Sequence, residues 1–109
     1  MKDYQKRILI DFDNTIANHE SGDDDNVTNQ EPIRGAIESI QALITAGYEV
    51  IVFTSLSERG EARNIEIQDW LRKYGLHVQV SNTKYPCRAI IDDRGIRFTN
   101  WKDIRRYFL

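Results

Sequence analysis

Three short apolar runs, each followed at once by an oxygen-bearing side chain, constrain this chain more than any other feature. Ile8-Leu9-Ile10 leads into Asp11, Val50-Ile51-Val52-Phe53 into Thr54, and Ala89-Ile90-Ile91 into Asp92. The first, short and rich in β-branched residues, predicts a parallel strand buried on both faces, the second another buried strand, and the third a further strand. Val78 and Val80 mark a further short strand, and Ile96 with Phe98 a brief last one. Helical patterns lie between them. Ile33, Ile37, Ile40 and Ile44 recur at helical spacing, predicting a helix entered at Pro32 and closed by Gly47. Ile67, Trp70, Leu71 and Tyr74 form the apolar side of a second helix, capped by Ser57 and ended by Gly75. The stretch from Trp101 to Leu109 reads as a third, and both tryptophans are expected to pack in the core or at its rim. Asn18 to Glu31 is polar and acidic and reads as loop.

Strands alternating with helices predict right-handed βαβ units around a mainly parallel sheet. With 109 residues there is room for one domain, spanning 1–109. Ligands of such sheets bind beyond the carboxyl ends of the strands. Asp11 to Thr15, Thr54-Ser55, the stretch from Ser81 to Tyr85 and Asp92-Asp93 are therefore expected along one edge.

The chemistry of that edge follows from its charges. Asp11 and Asp13, two apart on an extended segment, point to one side, where two carboxylates repel unless a cation or proton lies between them. Asp92 and Asp93 add negative charge. Oxygen donors of this kind favour Mg²⁺ over Zn²⁺, and neither His19 nor His77 has a partner at useful ligand spacing. A magnesium ion held from one side leaves positions for a phosphate. One aspartate then serves to attack phosphorus, a second to move protons, and a hydroxyl and a lysine to bind the phosphoryl oxygens.

Asp11-Phe12-Asp13-Asn14-Thr15, placed after Ile8-Leu9-Ile10, resembles the DxDxT signature of haloacid dehalogenase-like (HAD) enzymes. Thr54 at the end of the second run resembles their second motif, Lys84 the third-motif lysine, and Asp92-Asp93 the paired acids of the fourth. The four occur in the family's order. The resemblance implies a three-layer α/β/α Rossmann-like core with a mainly parallel sheet. It implies a phosphohydrolase that works through an aspartyl-phosphate on Asp11, with Asp13 as general acid and base. Mg²⁺ would be held by the Asp11 carboxylate, the Asp13 main-chain carbonyl and Asp92, with Asp93 close by. Thr54 would bind the phosphoryl group, with Ser55 its rival and Asn14 a further phosphate ligand, and Lys84 would offset the crowded charge. Residues 14–31 would form a flap over the site. Neither the roughly 17 residues between Thr15 and Ile33 nor the stretch from Thr54 to Lys84 holds a folded cap, so the chain resembles the capless members. The partner is then a phosphorylated substrate of any size.

Competing readings are weaker. Signalling receiver domains place their acidic pair first and a solitary aspartate later, the reverse of the order here. A protein that keeps the site but binds or regulates with little turnover is the alternative that motifs do not separate. Asp23-Asp24-Asp25-Asn26 lacks the glycine and glutamate of an EF-hand loop and reads as a solvated acidic loop. His19, Arg59 and Arg94 are surface residues within reach of a leaving group. A net charge of −2 gives no electrostatic case for nucleic acid, leaving only a local basic patch for that role. One cysteine, Cys87, excludes an intrachain disulfide, and no apolar run approaches the roughly 20 residues that cross a bilayer. The expectation is cytoplasmic, with no membrane partner.

Overall fold

The computed structural model describes residues 3–19 and 27–109. Four strands form one parallel sheet: β1 Arg7–Asp11, β2 Glu49–Phe53, β3 Gln79–Ser81 and β4 Ala89–Ile91, in the order β3-β2-β1-β4. Three helices accompany them, α1 Ala36–Thr45, α2 Glu61–Lys73 and α3 Trp101–Phe108. This is the α/β arrangement around a parallel sheet that the alternation predicts, and it agrees with the Rossmann-like core that the resemblance implies. Register places Asp11 opposite Phe53, and Phe53 opposite Ser81, so three strand ends finish level.

The pleat explains the packing. Ile8, Ile10, Val50 and Val52 project to one face and join Ile40 of α1 and Ile67, Trp70 and Leu71 of α2 in one cluster. Leu9 and Ile51 project to the other face and are also buried. Right-handed crossovers require this division: β1-α1-β2 and β2-α2-β3 step the same way, and the return from β3 to β4 must pass over the opposite face. On that face the Arg7 guanidinium donates to the Pro86 carbonyl at 3.1 Å and stacks over Tyr85. Gly47 and Gly75 end α1 and α2 with φ of 98° and 84°, the left-handed turn expected of them.

Several local expectations give way to longer-range pairing. Pro32 is not in a helix; it forms an antiparallel bridge with Ala17, and α1 starts only after Gly35. Ser57 does not cap α2. Its hydroxyl accepts from the Arg59 N–H at 3.2 Å, a local turn, and the helix begins after Gly60. Ile96 and Phe98 form no strand. β4 is an edge strand, with Ile90 and Ile91 at 40% and 43% exposure. Trp70 lies in the core as expected, but Trp101 is 70% exposed and no residue of α3 is buried. Asp23 to Asn26 fall outside the described residues. Among the described residues no helix is long and apolar enough to cross a membrane.

Candidate active site

Asp11 closes β1 at the centre of the sheet, between β2 and β4. The chain then bends: Phe12 turns into the core, and the N–H groups of Ile16 and Ala17 donate to its carbonyl at 2.9 and 3.0 Å. That tight turn puts Asn14 at a φ of 61° and returns Asp13 beside Asp11. Asp11 and Ser55 line three adjoining concavities at the strand ends. Asp13, His19 and Arg94 share one with them, Lys84, Asp92 and Asp93 a second, and Thr54, Arg59 and Arg63 a third. All eight residues singled out for the site therefore stand at one edge.

They are not equivalent there. Asp93 borders two of the concavities, whereas Asp92 borders one and uses Oδ1 to accept the N–H groups of Arg94 and Gly95 at 3.1 and 2.6 Å. The turn holds Asp92 in place, and Asp93 stands nearer the centre. Asn14 accepts the His19 N–H at 3.0 Å, so its side-chain oxygen also serves the turn. Thr54 is 2% exposed, while Ser55 is open to solvent.

Burial, reinforced by the charges of Asp13 and Asp93 and more weakly by Asp92, pushes the Asp11 carboxyl up to about 6, against the lowering effect of the Phe12 N–H. A carboxyl in this setting holds its proton more tightly than a free one, and a nearby positive charge would offset the crowding. The donor set of carboxylate and main-chain oxygens suits a hard ion such as Mg²⁺. Among the described residues no three Asp, Glu, His or Cys side chains group closely enough to hold an ion by themselves. An ion here would thus need main-chain, water or phosphate oxygens as well, which is how magnesium is commonly held.

A second layer of residues is absent from the sequence reading. Arg63 of α2, 2% exposed, donates through Nη2 to both Asp13 oxygens at 3.0 and 2.9 Å and through Nη1 to Thr54 Oγ1 at 2.9 Å. Asn64 donates to Asn82 Oδ1 at 2.7 Å, and Asn82 to the Thr54 carbonyl at 2.8 Å. Helix α2 thereby ties together the ends of β1, β2 and β3. Stepping back three and four residues from Ile67 lands on Asn64 and Arg63, so two polar residues occupy the start of an apolar stripe; that is the signal that could have found them. His19 lies with Nδ1 3.6 Å from Asp13 Oδ1, and its Nε2 is buried with no hydrogen-bond partner among the described residues. Arg59 pairs with Glu66.

No family model matches this chain, and no curated protein matches it. A solved structure does: that of the conserved protein coded by a locus of Bacteroides thetaiotaomicron, with a TM-score of 0.62 and 25% identity over 90% of this chain and 84% of that one. The likeness extends over nearly the whole α/β domain.

Proposed function

We propose that this chain is a Mg²⁺-dependent phosphohydrolase of HAD type, working through an aspartyl-phosphate on Asp11. The observation that carries the reading is the position of Asp11 and Ser55, common to three adjoining concavities around which Asp13, Lys84 and Asp93 are distributed. The Asp11 and Asp93 carboxylates and the Asp13 main-chain carbonyl would hold the ion, with Asp92 braced behind. When bound, Mg²⁺ would supply charge neutralisation and orient the phosphoryl oxygens.

An Asp11 carboxylate oxygen attacks phosphorus, and the bond from phosphorus to the leaving oxygen breaks as that oxygen takes a proton from Asp13. Asp13 then accepts a proton from water, whose oxygen attacks the phosphoryl group, releasing inorganic phosphate and restoring Asp11. The exposed Ser55 hydroxyl and Lys84 ammonium bind the phosphoryl oxygens as negative charge shifts over them. Arg94, bordering the same hollows, contacts the leaving side. Among the described residues no folded cap lies over this edge, so the proposed activity carries no limit on substrate size.

The test is phosphate release from an aryl phosphate, nucleotides, sugar phosphates, phosphopeptides and polynucleotide ends, each with and without Mg²⁺. Release that needs Mg²⁺ and disappears in Asp11→Asn is expected. Equal release by Asp11→Asn would overturn the assignment. A binding or regulatory protein with little turnover, which the motifs by themselves do not separate from an enzyme, is the second reading. Mg²⁺-dependent uptake of a phosphate mimic without release from any ester would support it instead. We further propose a cytoplasmic location, tested by fractionation.

A further inference from the structure

We infer that Arg63 is a positioning residue for proton transfer, and that Thr54 serves as its second anchor while Ser55 takes the phosphoryl group. The functional role rests on the phosphohydrolase reading, whereas the side-chain placement does not. Arg63 is almost wholly withdrawn from water, a costly location for a guanidinium unless its donors meet fixed acceptors. Its two terminal nitrogens do so, Nη2 meeting Asp13 on one side and Nη1 meeting Thr54 Oγ1 on the other. Nη2 donates to both Asp13 oxygens while Nη1 is tied to Thr54, which restricts the directions in which that carboxylate can point. Asp13, 29% exposed, is thus aimed from beneath rather than left to rotate at the rim.

The same contacts divide the labour between adjacent hydroxyls. Thr54 Oγ1 is buried and already accepts from Arg63. Ser55 is exposed and borders each of the three concavities described above, as Asp11 does. Asp13 moves protons only at the leaving oxygen and the attacking water, so misdirecting it should slow turnover without weakening substrate binding. Its loss should also matter more where the leaving oxygen is more basic.

The experiment compares wild type, Arg63→Met, Arg63→Lys, Thr54→Val and Ser55→Ala on an alkyl and an aryl phosphate. In Arg63→Met, kcat for the alkyl ester should fall about 10²-fold, the size of a lost general acid, with a smaller fall for the aryl ester and KM little changed. Arg63→Lys should recover part of the loss, since it restores a cation but not the fork. Thr54→Val should follow the Arg63→Met pattern, and Ser55→Ala should raise KM. Equal losses on both esters, an unchanged kcat, or a raised KM in Thr54→Val would each overturn the inference. Should Arg63→Met fail to fold, Arg63→Lys and Thr54→Val carry the same comparison. A wild type without turnover would sink the phosphohydrolase reading alone. Crystal structures of the wild type and of the folded variants would then decide the positioning: Asp13 turned away in the variants supports it, and Asp13 unmoved overturns it.

Discussion

At Asp11, burial and neighbouring negative charge act in the same direction, lifting the carboxyl from its ordinary 3.8 to about 6. A carboxyl whose pKa is higher in the folded than in the unfolded chain stabilises the fold below about pH 4, and that contribution is lost as pH rises through 6. Metal-free wild type should therefore lose thermal stability between pH 4 and 7 relative to Asp11→Asn, and Mg²⁺ should narrow the difference at pH 7.5. Melting curves of both proteins across that range check this, and parallel curves would count against it. In turnover assays Asp11→Asn should be inactive with an unaltered circular dichroism spectrum. Asp13→Ala should show two effects. Turnover falls by at least roughly 10²-fold, as for a lost general acid. Stability falls by about 2 kcal/mol, below the 3–5 kcal/mol of a fully buried pair because Asp13 keeps some contact with water. Kinetics and urea unfolding separate the two, and a variant as stable as wild type would deny Arg63 its structural dependence on Asp13.

Among the elements, the strands were the most legible, because a short β-branched run followed by a carboxylate or hydroxyl is a local pattern. Their ends carry Asp11, Thr54 and Asp92, and all three stand at the sheet edge that the pattern implies. The helix starts were less legible. Pro32 satisfies the local rule for a first helical turn, yet the chain on both sides of it pairs with the 16–18 segment: Asn18 N–H donates to the Glu31 carbonyl and Ile33 N–H to the Ile16 carbonyl, each at 2.8 Å. No local propensity encodes such pairing. Helix α2 is the element on which the site depends. Its Trp70 packs edge-on against Phe12 at 5.2 Å and donates to the Gln30 carbonyl at 2.9 Å, joining the first motif to the segment that returns from the loop. Trp70→Ala should cost about 3–5 kcal/mol, as for large aromatic truncations in a core, read as a lowered urea midpoint. A cost below 1 kcal/mol would mean that the helix is held by other contacts.

Across the whole molecule, burial is concentrated where α1 and α2 cover β1 and β2, and it thins toward β4 and the C-terminal stretch. Phe98 at 58% and Trp101 at 70% exposure meet each other edge-on at 5.5 Å but not the core. Its hydrophobicity made Trp101 look like a residue of the core or its rim, since a sequence reports what a side chain prefers and not whether a partner surface reaches it. Replacing both by serine should change stability by no more than about 0.5 kcal/mol, typical of surface positions. A larger loss in urea unfolding would place the C-terminal helix within the cooperative unit. The anchoring of Arg63 has a further mechanical result. One guanidinium reaches from α2 to the residues just beyond two neighbouring strands, so those strands cannot slide or splay without stretching three hydrogen bonds at once. The floor of this edge is accordingly stiff, and under the proposed function any adjustment to substrates of different shape would fall to other parts of the rim.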